Sequence, residues 1–232
     1  MLSISVVENA AAENLVLPST SAVLGLQFRG RVRVGERPLS LAGVTGIQGA
    51  ARRYTYVGDT GSVLVRFTPQ GAACLGVPAG ELSDRHVALE DLVAPARVAE
   101  ASERLHAARD DRARVDVVEA LLLELPFARD PLVTRAIDLL ANAHDGATVA
   151  AIARALGTSE RQFERRFAAR VGLTPKRFAR LRRFEHAVAL ARSTPSFSAV
   201  AQAAGYYDQS HFIRDFRGFV GVAPGAGLAV LR

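Results

Sequence analysis

The run Ala150-Ala151-Ile152-Ala153-Arg154-Ala155-Leu156-Gly157, followed by Phe163, Arg165, Phe167, Val171, Gly172 and Pro175, occurs a second time. It returns as Ser198-Ala199-Val200-Ala201-Gln202-Ala203-Ala204-Gly205, followed by Phe212, Arg214, Phe216, Val220, Gly221 and Pro224. Phe163 and Phe212, Arg165 and Arg214, and Phe167 and Phe216 each lie 49 positions apart, whereas Gly157 and Gly205 lie 48 apart. The second copy therefore holds one extra residue in its turn. Spacing kept this closely marks an internal repeat, which governs the reading of the rest of the chain.

Each copy has the physics of a helix-turn-helix. A short Ala-rich helix stops at a Gly, which enters a left-handed turn without a Cβ penalty. A second helix is predicted to begin at Ser159 in copy one and near Asp208 in copy two, both residues whose side-chain oxygens accept free backbone N–H groups. Phe163 and Phe167, like Phe212 and Phe216, are four apart and so share one buried face. Arg161, Glu164 and Arg165 fall on the opposite face of copy one, and Gln209, Ser210 and Arg214 do so in copy two. Arg pairs bidentately with guanine, and Gln with adenine, in a major groove. The plain alternative is a solvated helix face.

The segment Gly205-Tyr206-Tyr207-Asp208-Gln209-Ser210-His211-Phe212-Ile213-Arg214-Asp215-Phe216-Arg217, with Gly221 and Pro224 after it, resembles the signature of the AraC/XylS family of bacterial transcription regulators. The resemblance covers about the last hundred residues. More weakly, Phe67 to Pro78, Glu81 to Asp84 and Val87 to Leu92 resemble the N-terminal domain of one subgroup. The resemblance implies a seven-helix DNA-binding unit in which a long helix joins two helix-turn-helix motifs that enter successive major grooves. Its base-contacting positions fall on Arg161, Glu164 and Arg165, and on Gln209, Ser210, His211 and Arg214. The implied partners are double-stranded DNA, RNA polymerase, a small-molecule effector and a second copy of the chain. Where family members usually carry an aromatic residue and an Arg, this chain runs Pro224-Gly225-Ala226-Gly227-Leu228. Two glycines there predict a weak last helix.

With 232 residues the chain has room for two modest domains. Its net charge of +6 is unevenly placed. Residues 131–232 hold 15 Lys+Arg against 7 Asp+Glu, or +8, and the remainder comes to −2. Polyanion binding is thereby assigned to the repeat. Cys74, the single cysteine, excludes an intramolecular disulfide and a Cys-rich zinc site, and its apolar neighbours predict a buried thiol. That also excludes the alkylation-repair regulators, which join a four-Cys zinc domain to the same DNA-binding unit. The N-terminus lacks the features of a signal peptide, and no apolar run approaches a membrane span, so the expected location is the cytoplasm.

Residues 1 to about 80 read as β-rich, with strands at 22–28, 31–34, 53–57 and 62–67 punctuated by Gly30, Gly35, Gly58 and Gly61. A small barrel or sandwich fits this pattern, and the family resemblance implies a cupin-like one. His86, His106, His144, His186 and His211 show no ligand-pair spacing and fall in none of these strands, so no metal or other cofactor is expected. Arg52, Tyr54 and Tyr56 share a strand face, either lining a ligand pocket or, the reading preferred, facing solvent; Arg66 is read likewise. Glu81, Asp84, Arg85 and His86 read as capping and surface charge. From Ala94 to about Leu125 two helices meet near Asp110-Asp111. Val115, Val118, Leu121, Leu122 and Leu125 form a stripe that either covers the barrel or pairs with a symmetry mate.

Residues 126–131, bracketed by Pro126 and Pro131, read as a short linker between a sensory or dimerisation domain at 1–125 and a DNA-binding domain at 132–232. Pro175 is predicted to open the long helix, on which Arg177, Arg180, Arg182 and Arg183 are dense enough either to reach phosphates or simply to face solvent. The fold class is α+β: a β-rich, cupin-like domain with following helices, then an all-α domain. The expected function is sequence-specific transcription regulation without enzymatic activity. Two alternatives stand beside it: a cupin-like enzyme with a DNA tether, and a protein-interaction module that has lost DNA binding.

Overall fold

A computed structural model describes residues 3–10, 12–127, 129–142 and 148–229. Seven strands come first: β1 (Ser3–Asn9), β2 (Glu13–Val16), β3 (Val23–Val34), β4 (Arg37–Pro38), β5 (Ala42–Thr45), β6 (Arg52–Arg66) and β7 (His86–Ala88). They form one antiparallel sheet in the order β1-β6-β3-β5-β7, with β2 also on β6 and β4 on β3. The four strands expected from sequence are two long ones. Gly30 and Gly58, both at positive φ, lie inside β3 and β6 instead of ending them, and the β3–β6 register shifts between Gln27 and Arg31. Such bulges bend a strand without terminating it, which is why glycines expected to punctuate strands here curve continuous ones. β1, β2, β5 and β7 are short and carried little signal in the sequence.

Alternation along the strands gives the sheet two faces. Leu24, Leu26, Val44, Val63, Val65 and Phe67 are buried with Val98, Leu105, Val118 and Leu121 of α2 (Pro95–Ala107) and α3 (Asp111–Leu123). The apolar stripe on α3 therefore covers the sheet. It is centred on Val117, Val118 and Leu121, with Val115, Leu122 and Leu125 only partly buried, while Leu123 is 86% exposed. Asp110 caps α3 by accepting from the Ala113 N–H at 2.8 Å. Cys74 is buried, and burial pushes its thiol pKa up. A four-residue α1 (Ala79–Leu82) precedes β7.

The second core belongs to α4 (Pro131–Asn142), α5 (Val149–Ala155), α6 (Glu160–Val171), α7 (Pro175–Ala191), α8 (Phe197–Ala203), α9 (Gln209–Val220) and α10 (Pro224–Ala229). Phe163, Phe167, Phe178, Phe184, Phe212 and Phe216 fill its centre. Despite its glycines α10 docks: a Cβ on Gly227 would stand 2.7 Å from the Phe216 ring, so the helix packs closer than any larger residue permits. Lost propensity is offset by contact.

The two halves are tightly joined. Ile47, from the sheet domain, is buried in the helical core. Ser83 Oγ donates to the Gly172 carbonyl (2.7 Å), and the Ala51 N–H donates to that of Phe219 (2.7 Å). The Thr20 N–H and hydroxyl both donate to the Glu185 carboxylate at 2.9 Å. Gly172, at φ +87°, ends α6 so close to the sheet domain that a Cβ would lie 2.7 Å from the Ala79 carbonyl oxygen.

Asp130 anchors the end of the expected linker. Its Oδ1 accepts from the Leu132 and Val133 N–H groups (3.1 and 3.2 Å), capping α4, and Arg166 closes on both oxygens at 2.6 and 3.0 Å. Gln70 reaches across from the first domain, accepting the Asp130 N–H (3.1 Å) and donating to Thr134 Oγ1 (2.6 Å). Burial alone would raise the Asp130 pKa, but the Arg166 bond and charge and the two backbone donors outweigh it, so it is lowered. A lowered carboxyl pKa contributes stability above the ordinary carboxylate range, lost as pH falls through the folded-state value. Asp130→Ala should destabilise the protein by about 1–3 kcal/mol near neutral pH. In urea unfolding, that gap from wild type should shrink as the pH is lowered below the carboxylate range.

Candidate nucleic-acid interface

The two helix-turn-helix units are built from matching bonds. In the first, Thr148 Oγ1 accepts from the Ala151 N–H (3.1 Å), the chain leaves α5 through Gly157, and the Thr158 N–H donates to the Ala153 carbonyl at 3.0 Å. Ser159 then caps α6, accepting from Gln162 at 3.3 Å. In the second, Ser196 caps α8, the chain turns at Gly205, and the Tyr206 N–H donates to the Ala201 carbonyl at 2.9 Å. Asp208 caps α9, accepting from the His211 N–H at 2.6 Å. Thr158 therefore corresponds to Tyr206 and Ser159 to Asp208. The extra residue of the second copy is Tyr207, and its side chain is 93% exposed.

Both second helices sit on α7. Phe167 packs edge-on against Phe178 at 5.4 Å between ring centres, and Phe184 meets Phe216 at 5.6 Å and Phe219 at 4.6 Å. With the Phe faces inward, Arg161, Arg165, Gln209, Ser210 and Arg214 are exposed, while Glu164 and His211 are half-buried. Among the described residues Arg161, Arg165 and Arg214 make no ion pair, so their guanidinium donors are free. Glu164 and His211 line a common groove of about 1030 Å³ that lies over α7 between the two units, together with Lys176, Arg180 and Arg183. The His211 ring rests edge-on against buried Tyr206 at 5.1 Å. Burial, reinforced by Asp215, pushes the Tyr206 phenol pKa far up and keeps it neutral.

The arginines of α7 are less free than their sequence spacing implied. Arg180 pairs with Asp215 of α9 (2.9 Å) and lies over the Phe219 ring at 4.9 Å. Arg183 donates to the Gly205 carbonyl (3.3 Å) and lies over Tyr206 at 4.9 Å, and Arg182 pairs with Glu185 at 3.0 Å. Arg177 lies against the sheet domain, with a guanidinium nitrogen 2.9 Å from where a Gly49 Cβ would be. Arg180 and Arg183 thus brace the second unit against α7. The sequence could not show this, because the partner carboxylate of Arg180 is 35 residues away on another helix.

A second concavity, of about 690 Å³, lies between the sheet and α7. Tyr54 and Tyr56 line it, together with Leu64 and Arg66 from β6 and Phe184 and Val188 from α7. The preferred sequence reading of a solvated Tyr54 and Tyr56 is therefore corrected: β6 runs on through Gly58 and curves, turning that face inward. Burial raises both phenol pKa values, so both stay neutral. Arg52 instead donates to the Asp84 carbonyl at 2.7 Å, and Arg66 stays exposed at the cavity. Asp84, at φ 58°, accepts the Gly49 N–H at 2.6 Å, which gives that charged cluster a bracing role between loops.

His86 stands in a strand after all, β7, at the cavity. Its Nε2 accepts the Ser40 N–H at 3.2 Å and its Nδ1 lies 3.0 Å from Thr45 Oγ1. Burial, with the nearby Arg37 charge, lowers its pKa and favours the neutral ring. Both ring nitrogens are occupied by protein partners. No cluster of three or more metal-ligating side chains occurs among the described residues. His144 lies outside the described residues.

A helix-turn-helix domain family matches residues 152–228. No curated protein matches the sequence. Among solved structures, ToxT from Vibrio cholerae aligns over 99% of this chain and 98% of its own, with a TM-score of 0.52 and 12% identity. ToxT bound to (E)-4-(8-methylnaphthalen-1-yl)but-3-enoic acid aligns over 100% and 99% (0.53, 12% identity). ToxT bound to an unsaturated fatty acid aligns over 99% and 95% (0.51, 13% identity). At such identity the likeness is one of fold, and it extends through both halves of the chain. The doubled, Phe-anchored motif and the family match together identify residues 152–228 as a helix-turn-helix domain of the AraC type.

Proposed function

We propose that this protein is a transcription regulator that binds duplex DNA through α6 and α9 in successive major-groove segments and answers to a small molecule held between its sheet and α7. The observation that carries the first part is the pair of matching units, fixed to one helix, with unpaired Arg161, Arg165 and Arg214 outward. Arg165 and Arg214 are the favoured base readers, flanked by Arg161, Gln209 and Ser210, with Glu164 and His211 setting the groove between them. Arg177 and Arg180 have a supporting role, holding the domains and the second unit in position. The domain limits proposed are 1–125 and 132–232, with 126–131 between.

The second part rests on the cavity and its mixed lining. Apolar Leu64, Phe184 and Val188 would accept a hydrocarbon body, and exposed Arg66 and Arg192 would meet an acidic head. The unsaturated fatty acid in one ToxT structure has this chemistry. The regulator is expected to act without catalysing a reaction, on the chromosome and so in the cytoplasm. No described helix is long and apolar enough to cross a membrane. RNA polymerase and a second copy of the chain are the further partners this reading calls for.

Selection of bound fragments from genomic DNA should enrich a site spanning two groove segments. On that site Arg165→Ala or Arg214→Ala should each weaken binding by about 1–3 kcal/mol; full affinity in both would remove α6 and α9 from the interface. Binding should fall steeply as salt rises, since phosphate neutralisation releases counterions. An unsaturated fatty acid should raise the melting temperature of wild type, and Ser62→Phe, which crowds the cavity, should abolish the rise while leaving DNA binding intact. Absence of any rise would exclude this ligand class.

A further inference from the structure

The matched capping bonds of the two units leave Tyr207 without a counterpart in the first. It stands directly before Asp208, the cap of α9, and its neighbours on that helix, Gln209 and Ser210, are also exposed. Tyr206, the residue before it, turns the opposite way and is buried against Phe212 and His211. Tyr207 has no hydrogen bond or ring contact within the protein among the described residues. A tyrosine 93% exposed at this position leaves both an aromatic face and a phenol donor unused. Tyrosine normally finds partners for both when it serves an interface.

Resting on the DNA-binding reading above, we infer that Tyr207 is a DNA-positioning residue peculiar to the second unit, whose phenol O–H donates to a backbone phosphate at the edge of the groove that α9 enters. The turn before a recognition helix lies beside the groove wall, where tyrosine hydroxyls serve as phosphate donors that fix orientation without reading sequence. The first unit makes this turn with one residue fewer and has no equivalent. Contact strength is therefore unequal between the two units. The second is held to the backbone by a bond from an uncharged donor, in addition to the base contacts of its side chains.

The test compares wild type, Tyr207→Phe and Tyr207→Ala on the enriched operator and on an unrelated duplex, over a salt series. Removal of one solvent-exposed hydrogen bond from an uncharged donor should weaken Tyr207→Phe by about three- to tenfold on both duplexes alike. Because no charge is lost, the slope of log affinity against log salt should stay unchanged. Ethylation of single operator phosphates should reveal one position at which wild type is impaired and Tyr207→Phe is not. Wild-type affinity in Tyr207→Phe overturns the inference, whether or not Tyr207→Ala is weakened, since a loss in Tyr207→Ala alone would mean that the ring acts and the hydroxyl does not. A loss confined to the operator would also overturn it. If wild type binds no duplex at all, the DNA-binding reading falls first. Circular dichroism should be the same for all three proteins, since the side chain packs against nothing.

Discussion

The aromatic contacts that α7 makes through Phe178 and Phe184 set the geometry of the whole C-terminal half. Phe178 packs on Phe167 of the first unit, and Phe184, six residues along the same helix, packs on Phe216 and Phe219 of the second. A helix rises about 1.5 Å per residue and turns with a fixed period, so the separation and relative rotation of the two units are set by backbone geometry instead of by a loop. The ion pair between Arg180 and Asp215 adds a directional bond to these contacts. With the carboxylate buried, the cost of desolvation offsets much of the attraction within the pair.

The sheet domain is held to this frame at several separate points: Thr20 on Glu185, Ser83 on Gly172, Ala51 on Phe219, and Gln70 on Asp130 and Thr134. Ile47 completes the helical core from outside it. The short connection at 126–131 is thus one of several tethers.

The sequence disclosed the helical half almost completely because its signals are local. Gly at a left-handed turn, Ser or Asp at a cap and Phe four residues apart all act within one or two turns, and Ser159, Asp208 and Pro175 stand where those rules put them. The sheet was less legible. Gly30 and Gly58 act as bends in long strands, and whether a glycine ends or curves a strand depends on the partner strand. The inward turn of Tyr54 and Tyr56 follows from that curvature, so it was out of reach of alternation alone. The arginines of α7 were legible as charge but not as braces, for Asp215 and the Phe219 ring reach them only through tertiary packing. The docking of the last helix was out of reach for a related reason. Propensity describes an isolated segment, whereas Gly227 owes its place to a neighbour it allows to approach.

Glu185 and Ala189 of the seventeen-residue α7 each line two concavities, the cavity on the sheet side and the groove between the recognition helices. A guest on one side and a double helix on the other would press on the same rod. Unless that rod is indifferent to both, their occupancies are thermodynamically linked, and the linkage works equally in each direction. Whatever the duplex gains or loses from the guest, the guest gains or loses from the duplex, so promoter-bound and free molecules would sample the cellular pool of that guest with different appetites.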